Sequence, residues 1–348
     1  MIKFVIGGSP CTKWSVAQKN DRETEPKGEG WELFVNYLIA VEKFNPDYFI
    51  YENNKSASPL IKQQISSELG VPLQHIDSAL VSAQKRERFY AHNIPNVPIP
   101  EDKGILLKDI LDSGVVEQEK SYCLTGTYAK RNCRDYFKKK SGQVVFEPVR
   151  IGTIGSNSQA HRVYSCNGKS INITANGGGQ GGKTGLYLTP VAEADMPKAL
   201  NNGIVYEAYN GFIHTEFGDI PVNLDDGYYR VRKLTPEECE RLQTLPTGYT
   251  AGISPTQRYK CLGNGWTAEV IMHILRSAKI PLDEQIVVLS MYDGIATGRY
   301  CFDALGYKNV AYFSYEIDPY AIKIATKNYP DIICCGDAFQ IRNGGFSV

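Results

Sequence analysis

The first residue that can do chemistry is Cys11, which follows two glycines and a proline in the segment GGSPC. The apolar run KFVI before it predicts a buried strand, so the thiol would lie at the carboxyl end of that strand. Ligand sites of open α/β sheets lie at this edge, where a thiol can act as a nucleophile. A single cysteine after a strand is more often a small packing residue, so Cys11 alone does not assign a reaction.

Two further polar clusters follow predicted strands. Glu52 and Asn53 end the strand in NPDYFIYEN. In QKRER, the alternation of a strand would place Gln84, Arg86 and Arg88 on one face. Each cluster alone fits an ordinary solvated surface. A nucleophile, a carboxylate and two arginines at one sheet edge together predict an active site.

A second centre is predicted near the end of the chain, where residues 286–304 have the pattern of a strand, a turn and a helix. Glu316 ends the next strand, where a carboxylate can bond ribose hydroxyls, and Asp337 ends a third, where one can accept from an adenine amino group. The turn lacks the GxGxxG pattern, which favours a small adenosine ligand over a dinucleotide. An ordinary α/β turn remains the alternative. The residues of the turn that would permit close ligand approach are Asp293, Gly294, Ala296, Thr297 and Gly298.

Alternating strands and helices are predicted on both sides of these motifs. WELFVNYLIAVEKF has apolar residues at helical spacing, and a second helix is predicted over about 57–69. In LTPEECERLQTL, Thr235 is a suitable N-cap and Pro236 suits the first helical position. The pattern predicts a parallel α/β sheet that carries an inserted or appended domain.

The middle of the chain differs in composition. From about 115 to 228 it is rich in tyrosine, glycine, serine and asparagine, and periodicity there predicts little. Lysine plus arginine equals aspartate plus glutamate over the whole chain, at 38 each. Between Lys120 and Lys183, however, basic residues greatly outnumber acidic ones. This surplus fits either a solvated basic loop or a surface that faces phosphates.

Several classes of protein are excluded or disfavoured. The nine cysteines form no CxxC motif and the five histidines are widely separated, so no structural metal is expected. No apolar run approaches 18 residues, so no membrane span is expected. The N-terminus has no signal-peptide pattern, and we expect an intracellular, reduced protein.

Six separated motifs together resemble those of the DNA (cytosine-5) methyltransferases. They are GGSPC, YENN, QKRER, RVRKLTPEECERLQ, LGNGW, and MYDGIATG with YEID and CGD. The tract IDSALVSAQKRERFYAHNIP is most similar to the catalytic domain of the animal de novo methyltransferases. The family places its cofactor strand before its cysteine strand, whereas DGIATG here lies near the C-terminus. The resemblance therefore implies an α/β, Rossmann-like class I S-adenosylmethionine-dependent methyltransferase sheet that is circularly permuted.

The resemblance implies a role for each residue of the first centre. Cys11 would attack C6 of a cytosine flipped out of double-stranded DNA, and Glu52 would bond or protonate N3. Arg88 would contact the cytosine O2, while Arg86 would hold the loop, Glu52 or a phosphate. The two arginines would also lower the pKa of the thiol.

S-adenosyl-L-methionine is the cofactor that the resemblance implies. Core packing is the alternative for Trp266. The residues assigned to cofactor binding are Tyr292, Asp293, Gly294, Ala296, Thr297, Gly298, Glu316, Ile317, Asp337, Asn264 and Trp266.

The resemblance also implies a division of the chain. Residues 1–115 and 228–348 would form the catalytic domain, and residues 116–227 a smaller, irregular target-recognition domain. The loop 12–30 would close over the flipped base. Residues assigned to DNA contact are Lys13, Ser15, Gln84, Arg150, Arg162 and Lys183.

Three alternative functions remain open at this point. A tRNA cytosine-5 methyltransferase would share the catalytic motifs, although the basic middle favours duplex DNA. An inactive regulatory homologue would not need Cys11, Glu52 and Arg88, which are all present. A Rossmann oxidoreductase would need the glycine fingerprint. We expect a cytoplasmic bacterial or phage enzyme that is active as a monomer; whether a restriction endonuclease accompanies it stays open.

Overall fold

The computed structural model describes most of the chain, and its described residues group into two compact units. One unit comprises Met1–Leu106, Cys123–Ala129 and Pro236–Val348, and the other Leu107–Tyr122 and Lys130–Thr235. The described residues are 1–15, 20–131, 133, 136–137, 143–148, 150–153, 162–165, 186–188, 205–215 and 218–343.

Seven strands of the first unit form one sheet in the order β15-β14-β13-β1-β2-β4-β3, with the N-terminal strand at its centre. Their bounds are β1 Ile2–Gly7, β2 Tyr48–Asn54, β3 Leu73–Asp77, β4 Glu87–His92, β13 Ile286–Met291, β14 Val310–Tyr315 and β15 Ile333–Gly336. The sheet is mixed rather than wholly parallel as predicted, because β4 runs antiparallel to both β2 and β3.

The first and last parts of the sequence meet at the centre of this sheet. β1 pairs in parallel with β13, and Gly7 lies opposite Met291 at their carboxyl ends. All six residues of β13 are buried, as expected for a central strand covered on both faces. The loops that carry the two predicted centres therefore begin at the same edge of one sheet.

Seven helices of the first unit pack around this sheet. Three of them start with a cap residue followed by proline, at Ser58, Ser254 and Asp318, where each side chain accepts from a backbone N–H of the first turn. The helices are α1 Glu29–Phe44, α2 Pro59–Leu69, α3 Pro236–Leu242, α4 Pro255–Asn264, α5 Ala268–Arg276, α6 Thr297–Ala304 and α7 Pro319–Asn328.

Neighbouring residues of β1 serve opposite faces of the sheet. Val5 belongs to a core with Phe34 and Tyr37 of α1. Phe4 contacts Phe302 of α6, with ring centroids 5.2 Å apart. This two-sided burial fixes the register of the strand that precedes the Cys11 loop.

The second unit is built from short strands. Five of them form a sheet in the order β11-β10-β9-β12-β5, and three form a second sheet in the order β6-β7-β8. The first of these sheets covers a small aromatic core around Phe146 and Tyr229. The strand bounds are β5 Val144–Pro148, β6 Arg150–Thr153, β7 Arg162–Ser165, β8 Leu186–Leu188, β9 Val205–Tyr209, β10 Phe212–Thr215, β11 Gly218–Pro221 and β12 Gly227–Lys233.

The observed units do not share the boundaries predicted for the domains. The second unit begins at Leu107 and ends at Thr235, whereas the predicted target-recognition domain spans 116–227. Residues Cys123–Ala129 belong to the first unit although they lie inside that range. The assignment of target recognition to this part of the chain stays a prediction.

The QKRER segment differs from the prediction. β4 begins only at Glu87, so Gln84 and Arg86 precede the strand instead of sharing its face with Arg88. Of the helices in the described ranges, none combines the length and apolar character that a membrane crossing requires.

Candidate active site

One cavity of about 490 Å³ brings the two predicted centres together within the first unit. Cys11 lines it from the loop after β1 and Glu52 from β2. Glu316 and Asp337 line it from the positions directly after β14 and β15. The parallel pairing of β1 with β13 causes this arrangement, because it aligns the loops that follow both strands.

Most of the residues predicted for catalysis and cofactor binding line this cavity. Of these residues, Ala296 and Gly298 do not line it. Neither do Lys13, Ser15 and Gln84, which are predicted DNA contacts. Those that do are Cys11, Glu52, Arg86, Arg88, Asn264, Trp266, Tyr292, Asp293, Gly294, Thr297, Glu316, Ile317 and Asp337.

Cys11 begins a short 3-10 helix, Cys11–Lys13, directly after Pro10. Arg88 and Arg86 lower the pKa of this thiol, as predicted, but the net shift of the pKa is upward. Burial raises the pKa of the thiol, and this effect outweighs the opposing attraction of Arg88 and Arg86, while Glu52 raises the pKa further. The arginines act in the expected direction, but the desolvation of the thiolate is larger.

Glu52 is held through both carboxylate oxygens. Arg88 Nε lies 2.9 Å from Oε1, and Trp266 Nε1 donates to Oε2 over 3.1 Å. The side chains of Arg88 and Glu52 are only 11% and 12% exposed, so water screens this ion pair little. The site thus contains a thiol, a carboxylate and a guanidinium facing one enclosed space.

Arg86 holds the loops around the cavity. Its guanidinium donates to the carbonyl oxygens of Leu124 at 3.0 Å and Gly265 at 2.8 Å, and to that of Gly263 at 3.3 Å. It also bonds Cys123 Sγ at 3.3 Å. Of the three predicted roles for Arg86, the structure therefore shows loop holding, and no contact between Arg86 and Glu52 is seen in the described site.

Gln84 is fully buried, which contradicts its prediction as a DNA contact. Its side-chain oxygen accepts from Leu124 N at 2.6 Å, and its amide nitrogen donates to Leu242 O at 3.4 Å. A side chain without exposed surface cannot reach a phosphate or base in this arrangement. The alternation rule failed because Gln84 precedes the strand.

Four of the other five predicted DNA contacts lie among the described residues. Lys13 forms ion pairs with Asp21 and with Glu29, the latter at 3.1 Å, so carboxylates surround the ammonium group predicted to meet phosphates. Ser15 follows the 3-10 helix, and its N–H donates to Cys11 O. Arg150 begins β6 and Arg162 begins β7. Lys183 lies outside the described residues.

Three hydroxyl groups hold the Asp293 carboxylate in place. It accepts hydrogen bonds from the hydroxyls of Ser290, Tyr312 and Ser314, at 2.7, 2.6 and 2.9 Å. Burial raises the pKa of Asp293 to about 6, although the three hydroxyl bonds oppose the shift. These bonds give the Asp293 side chain a structural role in shaping the turn, and the assignment of Asp293 to cofactor binding stays a prediction.

Ala296 and Gly298 also serve the packing of α6 against the sheet, not the approach of a ligand. Ala296 is fully buried, with a left-handed φ of 60° at the start of α6. A Cβ at Gly298 would lie 2.4 Å from Ile6 Cδ1 and 2.6 Å from Tyr312 Oη. The glycine is required because α6 lies directly against the sheet, which corrects the predicted reason for its presence.

Glu316 is the acid that the cavity presents at the end of β14. Its oxygens accept from the backbone N–H groups of Gly294, Ile317 and Asp318, each at 2.8 Å. Gly294 has a φ of 64°, which favours glycine at this turn. Asp337 similarly accepts from Phe339 N at 2.9 Å. Backbone amides thus fix both carboxylates at the strand ends.

Apolar surface lies beside these acids. Ile317 is 68% exposed and Phe339 40% exposed, and both line the cavity. Tyr292 closes another side, where its hydroxyl donates to Leu33 O at 2.8 Å. Sequence analysis missed Phe339, although its position two residues after the acid of CGD was a usable signal. It also missed Ile295, which lines the cavity from the DGIATG turn.

Comparisons with known proteins show the family to which the chain belongs. Residues 1–279 match the family described as C-5 cytosine-specific DNA methylase. The type II methyltransferase M.HhaI of Haemophilus parahaemolyticus is 24% identical over 294 residues, which cover 78% of this chain and 74% of that protein. The orphan methyltransferase M.SPRI of Bacillus phage SPR is 26% identical over 361 residues, covering 78% and 81%.

A solved structure, a triple alanine mutant of Spodoptera frugiperda DNMT2, matches 80% of this chain and 79% of its own. The TM-score is 0.40 and the sequence identity 17%.

Proposed function

Because this chain belongs to the C-5 cytosine-specific DNA methylase family, we propose that it is a DNA cytosine-5 methyltransferase. It would transfer methyl from S-adenosyl-L-methionine to C5 of a flipped cytosine through a covalent bond between Cys11 and C6. The observation that carries this proposal is the single cavity lined by Cys11, Glu52 and Arg88 at one end and by Glu316 and Asp337 at the other.

The cofactor end of the cavity fits an adenosine group in three respects. The volume of the whole cavity, about 490 Å³, lies in the usual range for small-molecule sites. Glu316 and Asp337 offer acceptor oxygens for ribose hydroxyls and an adenine amino group, and Ile317 and Phe339 offer apolar surface for a ring. When bound, S-adenosylmethionine supplies an electrophilic methyl group on a sulfonium.

The nucleophilic step falls to Cys11. Its thiol loses a proton, and the resulting thiolate forms a bond to C6, which moves electron density onto C5 and N3. Arg88 and Arg86 favour the thiolate, while the burial of Cys11 opposes its formation. C5 would then bond the methyl carbon as the bond from that carbon to the sulfonium sulfur breaks, which leaves S-adenosylhomocysteine. A base removes the C5 proton, and that electron pair re-forms the C5–C6 double bond and expels the Cys11 thiolate.

Glu52 stabilises the charge that develops on the ring. A bond or proton from Glu52 at N3 favours addition at C6, because it neutralises charge where it forms. Arg88, which shares the cavity and is paired with Glu52, is the proposed contact for the cytosine O2.

Duplex DNA is the proposed substrate. The target carbon is stacked inside the duplex, so the base must be flipped at a cost of about a few kcal/mol. The basic surplus between Lys120 and Lys183 fits a surface that faces phosphates, and the family match favours duplex DNA over tRNA as the nucleic acid. We assign target recognition to residues 116–227, with Arg150, Arg162 and Lys183 as candidate contacts.

We also propose that the motif order is circularly permuted. The cysteine strand β1 begins the sequence, yet it pairs with β13, which carries the cofactor motif near the end. Residues 277–285 connect α5 to β13. With a type II and an orphan methyltransferase among its relatives, we place the protein in a bacterial or phage modification system as a monomeric enzyme.

Bisulfite sequencing of DNA from cells that express the chain tests this proposal. Protected cytosines in a defined sequence context are expected for the wild type, and Cys11→Ser should abolish them. Purified protein assayed in parallel on duplex DNA and tRNA separates the two substrates. Methylation of tRNA alone, or protection that persists in Cys11→Ser, would overturn the proposal.

A further inference from the structure

The indole of Trp266 lines the cavity and contacts the Glu52 carboxylate. Its Nε1 donates to Glu52 Oε2 over 3.1 Å, opposite the oxygen that Arg88 holds. We propose that Trp266 is a positioning residue for Glu52, in addition to forming part of the cavity wall. This inference rests on the proposed methyltransferase function and assigns a new role within the same site.

Two hydrogen-bond donors fix the orientation of the Glu52 carboxylate, which a single donor would leave free to rotate. The terminal torsion of a glutamate side chain is broad, so a carboxylate held only by Arg88 could still rotate about that contact. A second donor on the other oxygen fixes the plane of the group. Hydrogen bonds to charged groups are stronger than those between neutral groups, and the Glu52 side chain is largely shielded from water.

The donor itself is fixed in place. Arg86 bonds the carbonyl oxygens of Gly263 and Gly265, on the turn that leads to Trp266. On the other side, Thr267 Oγ1 is bonded to Ser78 Oγ at 3.0 Å and to Gln243 Oε1 at 2.9 Å. The indole N–H is thus preorganised by its neighbours along the chain.

The wall function and the donor function of Trp266 can be separated by substitution. Trp266→Phe keeps an aromatic ring in the cavity but removes the N–H, whereas Trp266→Ala removes both. Trp266→His restores a ring N–H on a smaller side chain. Trp31→Phe is a matched control, because Trp31 packs against Phe34 of the core and does not line the cavity.

The experiment measures kcat and KM on duplex DNA, together with calorimetric binding of S-adenosylhomocysteine. For Trp266→Phe we expect kcat to fall about 10- to 100-fold, the loss typical of a hydrogen bond to a charged group. Its affinity for S-adenosylhomocysteine should stay within about threefold of wild type, whereas Trp266→Ala should weaken binding. Trp266→His should recover part of kcat, and Trp31→Phe should resemble wild type.

A double-mutant cycle with Glu52→Gln tests whether Trp266 acts through Glu52. If it does, adding Trp266→Phe to Glu52→Gln lowers kcat much less than it does in the wild type. Full additivity, an unchanged kcat in Trp266→Phe, or a loss explained by weaker binding of S-adenosylhomocysteine would overturn the inference. Wild-type protein that methylates no DNA would instead overturn the proposed function, and the role of Trp266 would fall with it.

Discussion

Replacing Asp293 with asparagine tests whether this residue shapes the fold or binds ligand. Its carboxylate accepts from Ser290, Tyr312 and Ser314. An asparagine can accept from two of these hydroxyls and donate its amide to the third, so the turn should persist. We therefore expect Asp293→Asn to bind S-adenosylhomocysteine within about threefold of wild type, whereas Glu316→Gln should bind it more weakly.

The raised pKa of Asp293 determines how the free energy of unfolding changes with pH. A rise from 3.8 to about 6 corresponds to about 3 kcal/mol between the two protonation states. Because the folded pKa is the higher one, the stabilisation is fully present below pH 3.8 and is lost as the pH rises through 6. About 2 kcal/mol of this loss falls between about pH 4.5 and pH 7.5.

Urea unfolding at a series of pH values measures this effect. The free energy of unfolding of Asp293→Asn should increase relative to wild type by about 2 kcal/mol between about pH 4.5 and pH 7.5. Asp283→Asn, at an exposed carboxylate, serves as the control and should show no comparable trend. A flat or opposite pH dependence, or a loss of cofactor affinity equal to that of Glu316→Gln, would refute the structural role.

Three further predictions concern the thiol, the packing of α6 and the basic tract. Alkylation of Cys11 by iodoacetamide should accelerate with pH up to a midpoint above the usual thiol pKa, and Arg88→Ala should move it higher; a midpoint below the usual value would contradict this. Gly298→Ala should lower the free energy of unfolding by about 1–3 kcal/mol, measured by urea unfolding, because its Cβ would meet Ile6 and Tyr312. Replacing Lys138, Lys139 and Lys140 with alanine should flatten the salt dependence of DNA binding by about 0.9 in the log–log slope per lost phosphate contact; an unchanged slope would remove the tract from the interface.

Much of the site could be predicted from the sequence because its acids and its thiol end strands. In a sheet whose central strands are parallel, the carboxyl ends meet at one edge, so Cys11, Glu52, Glu316 and Asp337 converge without knowledge of long-range contacts. The pairing of β1 with β13 could be expected only through the family resemblance, because no local pattern joins two strands so far apart in the sequence.

The direction and surroundings of individual side chains could not be predicted in this way. The Asp293 carboxylate accepts from three hydroxyls, one of them from Tyr312 on the neighbouring strand β14. No local sequence pattern predicts this contact. Gln84 and Arg86 both bond Leu124, which lies in the distant segment Cys123–Ala129 that returns to the first unit. The pKa of Cys11 depends on a balance between burial and nearby charge, which only the packed structure determines.

The most direct test of the central claim is mass spectrometry of the protein after reaction with 5-fluorocytosine duplex DNA. If Cys11 and the methyl donor act in one cavity, a covalent complex of protein, DNA strand and one added methyl group should form only when S-adenosylmethionine is present. The attachment should map to Cys11, and Cys11→Ser should form none. A methylated DNA product without any adduct, or an adduct on another cysteine, would contradict the account.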